Sequence, residues 1–282
     1  MIKARVYAGS TVVAIFVAIL CLDHAFSTDV GLLAVVLALA CAGLLEFYSL
    51  VEKKGCATFR SIGLIGAVAY VLTQWHGLRS GGAESPYGSL VVTAFVFAVF
   101  WAQGLRYKTD DAVRNISAAL FGFVYIPYLG SYVLRLRHLT LDGVVVGEKA
   151  FVTCVLIAKA VDTGAYFVGR RLGRTKMSPR VSPKKTVEGL IGGLLAGLLV
   201  GVILYQFEVM RLAPLGWTMV VSLAIGVSGQ LGDLAESMIK RDVEVKDSSG
   251  LLPGLGGVLD IIDCLLVAVP VTYYLLLYGP KL

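Results

Sequence analysis

Residues 237–263 read SMIKRDVEVKDSSGLLPGLGGVLDIID, a segment dense in charge and glycine that joins an apolar run at 215–231 to another at 257–278. Runs of this kind approach the ~20 residues needed to span a bilayer. The segment therefore reads as a polar loop held between two membrane helices, and the rest of the chain as the scaffold that holds it. Just upstream, Asp233 and Glu236 lie three residues apart, and Asp260 and Asp263 repeat that spacing downstream. Three-residue spacing puts both members of each pair on one helical face. Carboxylates at the ends of membrane helices are costly unless paired or bound to a cation, so two facing pairs suggest a metal site. The chemistry suggested is phosphoryl or nucleotidyl transfer.

The composition agrees with a membrane reading. The chain has 282 residues, 57% of them hydrophobic and 16% charged, with a mean hydropathy of +0.80. That is too apolar for a water-soluble domain of this size. Nine apolar runs occur, at 6–22, 31–51, 61–75, 89–105, 115–134, 150–168, 187–207, 215–231 and 257–278; the third is short and Gly-rich. Lipid forbids unpaired backbone, and nothing alternates as an outer-membrane barrel would. The expected fold is all-α, a polytopic integral membrane helical bundle of about nine transmembrane helices. Residues 1–134 read as a five-span scaffold, and residues 135–282 as a four-span catalytic region with cytoplasmic loops at 169–186 and 240–256.

The net charge of +6 would suggest nucleic acid in a soluble protein, but the placement of the cations gives another answer. Numbering loops alternately, most of the 25 basic residues fall on one side, including Lys53, Lys54, Arg106, Lys108, Arg170, Arg171, Lys184, Lys185, Lys240, Arg241 and Lys246. The positive-inside rule then places the N-terminus in the cytoplasm, and no nucleic-acid partner is implied. Lys3 and Arg5 before the first run, with no small-residue cleavage site after it, predict an uncleaved first span. The five cysteines are scattered and read as buried thiols, and the three histidines show no ligand spacing. Glu46, near the end of the second run, reads as a lone interfacial acid that snorkels rather than reacts.

Two further stretches carry chemistry. In the sixth run Lys159 and Asp162 stand three residues apart in apolar surroundings, either as a structural ion pair or as a cavity wall. The next loop, MSPRVSPKKTVEGLIGG at 177–193, combines two Ser-Pro turns with Lys184, Lys185, Thr186 and Glu188. A helix is expected to begin just after Pro183. Free N–H groups at that start, with the paired lysines, would hold a polyphosphate. Gly189, Gly192, Gly193, Gly197 and Gly201 then stripe the seventh run, a packing signal. Asp233, Ser237 and Lys240 share one helical face.

The pattern Ser237-x-x-Lys240-Arg241, Lys246-Asp247, Pro253-Gly254, Gly256-Gly257, Asp260 and Asp263 resembles the signature of the phosphatidate cytidylyltransferases, also called CDP-diacylglycerol synthases. The resemblance extends to Asp162-Thr163-Gly164-Ala165-Tyr166, to Ser182-Pro183-Lys184-Lys185-Thr186-x-Glu188-Gly189, and to Gly232-Asp233-x-x-Glu236-Ser237, and covers roughly 155–265. Two positions depart from it: Leu255 stands where the family has His, and Ile261 where it has Arg.

This resemblance implies that CTP and phosphatidic acid give CDP-diacylglycerol and pyrophosphate, in phospholipid biosynthesis at the inner (cytoplasmic) membrane, with the site facing the cytoplasm. It implies Mg²⁺ held by Asp233 and Asp260, with a second cation as one way to fill the gap left at Leu255 and Ile261. Asp263 and Asp247 would be supporting acids. Lys184, Lys185, Lys240, Arg241 and Lys246 would be phosphate contacts, and Ser182, Thr186, Glu188, Ser237 and Asp162 would complete the substrate site. The lipid bilayer is a partner in any case, and homodimerisation is left open. The rival readings are an ion-coupled transporter, whose acids would line a conduction route, and a CTP-dependent lipid kinase or a synthase for a related phospholipid.

Overall fold

The computed structural model describes residues 2–81, 85–207, 213–250 and 256–280. Ten α-helices are found among them: α1 Ile2–Ala25, α2 Val30–Glu52, α3 Arg60–Arg79, α4 Pro86–Arg106, α5 Ala112–Phe123, α6 Tyr132–Arg137, α7 Gly147–Leu172, α8 Val187–Gln206, α9 Leu215–Asp242 and α10 Leu259–Tyr278. Four short strands join them: β1 Thr140–Leu141, β2 Val144–Val145, β3 Lys176–Ser178 and β4 Ser182–Thr186. All nine apolar runs fall on helix. Among the described residues seven helical stretches are long and apolar enough to cross a membrane: α2, α4, the continuous stretch Ala112–Arg137, α7, α8, α9 and α10. The protein is thus a polytopic helical membrane protein. Helix α3 does not reach that standard because Arg60, Gln74, His76 and Arg79, with Gly63, Gly66 and Gly77, dilute its apolar residues.

The expectation of an all-α chain needs correction in two places. Strands β1 and β2 form one antiparallel ribbon, and β3 and β4 another, with Ser178 opposite Ser182 and Lys176 opposite Thr186. The second ribbon replaces the expected start of helix after Pro183. Proline drives the residue before it to extended backbone, and the extended run continues to Thr186, whose φ is −126° and ψ 154°. Thr186 is the N-cap: its Oγ1 accepts a hydrogen bond from the Gly189 amide at 3.1 Å. That bond satisfies one of the amides a helix start leaves open. Lys184 and Lys185 therefore sit on a strand, not on the first helical turn.

The chain forms two compact units, Met1–Leu134 with Asp242–Ile261, and Arg135–Arg241 with Ile262–Leu282. In the first, an aromatic cluster of Phe59, Tyr70, Phe95, Val99, Ala119 and Phe123 ties α3, α4 and α5 together. The Phe95 and Phe123 rings stack with centroids 4.3 Å apart, a geometry that adds to simple burial. A second cluster packs Leu32, Leu33, Val36 and Ala40 of α2 against Val71 and Leu134. Between α5 and α6, Val124–Tyr128 adopts a π-turn that contains Pro127. A proline has no amide to donate, and a π-turn re-registers the ladder around it.

In the second unit α7 and α8 pack along the glycine stripe. A Cβ on Gly193 would lie 2.7 Å from the Val161 carbonyl, one on Gly197 2.5 Å from Val161 Cγ2, and one on Gly164 2.6 Å from Ala196 Cβ. Small residues on both helices let their backbones approach closely, the mode by which membrane helices associate when no hydrophobic drive separates protein from lipid. The opposite side of α8 is apolar and exposed at Ile191, Leu195 and Leu199, as a lipid-facing surface should be. Helix α9 meets α10 closely too: a Cβ on Gly232 would lie 2.4 Å from the Asp263 carbonyl oxygen.

Candidate active site

The close α7–α8 packing carries the β3–β4 ribbon, which precedes α8 directly, to the flank of α7. A cavity of about 430 Å³ results, walled by Asp162, Tyr166 and Arg170 of α7, by Lys184, Lys185 and Thr186 of β4, and by Gln230 and Asp233 of α9. Three segments that read separately as chemical in the sequence thus line one space. Lys185 Nζ lies 2.7 Å from Asp233 Oδ2. Asp162 is held from both sides: Gln230 Nε2 donates to its Oδ1 at 3.2 Å, and Lys159 Nζ stands 3.6 Å from its Oδ2. The two readings of the Lys159–Asp162 pair therefore combine, because the aspartate is both ion-paired and part of the wall. Arg170 Nη1 donates to the Tyr166 hydroxyl at 3.0 Å.

Such a cavity offers Lys184, Lys185 and Arg170 as cations and Asp162 and Asp233 as acids within one bounded space. Cations of this kind bind phosphate oxygens. Among the described residues no group of three or more His, Cys, Asp or Glu side chains is spaced to hold a metal ion alone. Mg²⁺ at nucleotide sites is commonly bound through one or two carboxylates plus the substrate's phosphates and water. A carboxylate such as Asp233 suits a cation that arrives with a nucleotide.

Several expected contacts have other partners. Glu188 accepts from the backbone amides of Arg174 and Thr175 at 3.0–3.1 Å, so it latches the turn before β3. Lys240 is ion-paired with Glu236 one turn earlier on α9, and both are buried. Arg241 donates its Nε–H to the Val181 carbonyl at 3.2 Å, bracing the ribbon. Ser237 donates to Asp233 Oδ1 at 3.4 Å, and Ser182 pairs within the ribbon. Asp263 is buried on α10 and accepts from the Cys264 amide. Lys246 and Asp247 are exposed. Ile261 is half-buried at the start of α10, and Leu255 lies outside the described residues.

Asp260 belongs to the first unit and Asp233 to the second. Asp260 Oδ2 accepts from the Ser248 amide at 3.0 Å, the Gly257 amide at 2.7 Å and approaches the Ser248 hydroxyl at 2.9 Å. Beside it stands Glu46, which its sequence context marks as a lone interfacial acid. Glu46 of α2 is buried, not snorkelling. Its Oε1 accepts from the Ser249 hydroxyl at 2.6 Å and the Val258 amide at 2.9 Å; its Oε2 accepts from the Ser248 hydroxyl at 2.9 Å and the Leu259 amide at 3.0 Å. Its partners lie some two hundred residues along the chain. The one local signal was an acid five residues before the end of an apolar run, with no cation one helical turn away.

Comparison with known proteins places the chain in a family. The model of the cytidylyltransferase family matches residues 3–278. A phosphatidate cytidylyltransferase of Bacillus subtilis is 30% identical over 251 residues, which cover 89% of this chain and 91% of that protein. One of Synechocystis is 33% identical over 259 residues, covering 82% and 83%, and one of Brucella suis is 34% identical over 233 residues, covering 82% and 80%. The match reaches far beyond the signature at 155–265 into α1–α4, so it is the whole helical scaffold that is shared. The chain belongs to the cytidylyltransferase family, that of the phosphatidate cytidylyltransferases, and is a membrane-embedded nucleotidyltransferase.

Proposed function

We propose that the protein makes CDP-diacylglycerol and pyrophosphate from CTP and phosphatidic acid, with Mg²⁺ as the divalent cation. The observation that carries this reading is the cavity in which Lys184 and Lys185 face Asp162 and Asp233, in a chain similar over most of its length to proteins named phosphatidate cytidylyltransferase. An oxygen of the lipid phosphate attacks the α-phosphorus of CTP. A new phosphorus–oxygen bond forms as the bond to the β-phosphate's bridging oxygen breaks, and pyrophosphate leaves with both electrons. The lipid phosphate is largely ionised near neutral pH, so little help from a general base is needed.

Catalysis then rests on charge and alignment. Lys184, Lys185 and Arg170 bind phosphate oxygens and orient the nucleotide. Asp233 and Asp260 are the candidate ligands of Mg²⁺, which when bound offsets the charge of the reacting phosphates. The basic loops point to a cytoplasmic entrance for CTP in the inner membrane, with the N-terminus on the same side and the apolar runs of α1 and α3 making nine spans in all. The test is to incubate the purified protein with labelled CTP, Mg²⁺ and phosphatidate. Labelled CDP-lipid with stoichiometric pyrophosphate is expected. Labelled phosphate transferred from the γ-position of CTP to lipid would instead show a lipid kinase, and no product with any phosphatidate would sink the reading.

A further inference from the structure

Glu46 has no place in the reaction just described, yet both oxygens of its buried carboxylate are hydrogen-bonded. Its two oxygens accept from four donors, the hydroxyls of Ser248 and Ser249 and the amides of Val258 and Leu259, all at 2.6–3.0 Å. A carboxylate has about four lone-pair positions, so this one is filled. It has nothing left to offer a metal or a phosphate. What it does instead is join α2 to both ends of the segment that leads into Asp260.

The link to Asp260 is short. Ser248 sends its amide to Asp260 Oδ2 and sets its hydroxyl 2.9 Å from both Glu46 Oε2 and Asp260 Oδ2. Gly257, whose amide also reaches Asp260 Oδ2 at 2.7 Å, is the residue before Val258. The backbone passes so close that a Cβ there would lie 2.5 Å from Glu46 Oε2 and 1.9 Å from the Ser248 hydroxyl. The donors Ser248 and Gly257 to Asp260 are thus respectively bonded to Glu46 and adjacent to a residue that is. Leaving a filled, buried carboxylate of this kind half-satisfied would be costly, so the arrangement is rigid.

We propose that Glu46 is a positioning residue for the reaction: through Ser248 and the 257–259 backbone it fixes the orientation of the Asp260 carboxylate. The inference rests on the proposed role of Asp260 at the reacting phosphates. It gives a reason for an acid to lie buried in an apolar helix of the scaffold half, and it assigns that half a share in catalysis.

The test uses the full-length protein in lipid nanodiscs and the variants Glu46→Gln, Ser248→Ala, their combination, and Asp260→Asn. Glu46→Gln places an amide NH₂ against a donor, while Ser248→Ala removes the hydroxyl and leaves the Val258 and Leu259 amides bonded to Glu46. Without metal or nucleotide, hydrogen exchange at Val258 and Leu259 is expected to quicken at least tenfold in Glu46→Gln. At a temperature where the variant is folded, kcat should fall at least tenfold with the KM for CTP within twofold. The Mg²⁺ concentration for half-maximal rate should rise at least threefold.

Ser248→Ala should move the Mg²⁺ requirement in the same direction, and its effect should vanish in the Glu46→Gln background. Wild-type kcat and Mg²⁺ requirement in folded Glu46→Gln would overturn the proposal, as would simple additivity of the two changes. If Glu46→Gln does not fold, an unchanged Mg²⁺ requirement in Ser248→Ala overturns it alone. Asp260→Asn separates the two levels. If it is inactive while Glu46→Gln is normal, only the positioning role falls; if it keeps full turnover, the reading of Asp260 falls and the positioning role with it.

Discussion

Lys185 Nζ lies 2.7 Å from Asp233 Oδ2, across from Asp162 in the same cavity. The cation comes from the β3–β4 ribbon and the acid from α9, so the pair ties a loop to a membrane helix at the point where phosphates would enter. Before the nucleotide binds, each neutralises the other in a half-buried setting where a lone charge would be costly. On the proposed reading, Asp233 would hold the cation that comes with CTP, and Lys185 would then be available to a phosphate oxygen.

Asp233→Asn should therefore remove turnover, with a smaller loss of stability from leaving Lys185 without its counter-ion. Loss of a carboxylate that compensates a catalytic cation removes several kcal/mol of transition-state stabilisation. At about 1.36 kcal/mol per decade, that is two or more decades in rate. The measurement is CDP-lipid formation by the purified variant. A rate near wild type with an unaltered Mg²⁺ dependence would show that Asp233 is only the lysine's counter-ion.

Lys184→Ala combined with Lys185→Ala should weaken CTP binding far more than lipid binding. Hydrogen bonds to charged groups contribute roughly 1.5–3 kcal/mol each, so a loss of at least tenfold in CTP affinity is expected. Titrating CTP and phosphatidate separately gives the answer. Equal weakening of both would mean that the lysines act only as general surface charge.

Gly257→Ala tests the packing of the Asp260 loop without touching an acid. The added methyl would sit 1.9 Å from the Ser248 hydroxyl and 2.5 Å from Glu46 Oε2. Neither atom can retreat without breaking its own hydrogen bonds. Overpacking of this kind costs about 1–3 kcal/mol, and the thermal midpoint should drop together with activity. Gly250→Ala, where nothing lies within 4 Å of the new Cβ, is the control and should leave both unchanged.

Much of this was legible in the sequence because it is encoded locally. Apolar runs specify helices largely whatever their neighbours, and among the described residues seven helical stretches are long and apolar enough to span a membrane. The glycine stripe from Gly189 to Gly201 marked the face of α8 that meets α7. Lys185, Asp162 and Asp233 stood out as charges next to membrane helices. The rest depends on groups distant in sequence or on a choice between two local rules. Pro183 and Thr186 each suit a helix start, and the structure uses Thr186 as the cap and leaves the lysines extended. Glu46 could not be interpreted from its own helix, since its four donors lie at 248, 249, 258 and 259. Lys240 carries the right charge for phosphate and Glu188 stands in the same motif as the paired lysines, but neither feature shows that a buried glutamate or a backbone turn has already taken that side chain.

Lys240 allows the sharpest separation of a phosphate contact from a structural ion pair. Its ammonium meets Glu236 on the preceding turn of α9, and the glutamate is 1% exposed and the lysine 8%. Truncating one partner of a buried pair strands the other charge, which typically costs about 3–5 kcal/mol. A phosphate contact, by contrast, would affect binding and turnover and leave the free protein's stability intact. Lys240→Ala is therefore expected to lower the thermal midpoint markedly. The combined Lys240→Met, Glu236→Gln variant, which removes both charges and keeps the volume, should recover most of that loss. If the paired change restores stability and CDP-lipid formation together, Lys240 serves the fold. A stable Lys240→Ala protein with a raised KM for CTP would instead return Lys240 to the substrate site, and the buried pair with Glu236 would then need to open when nucleotide binds.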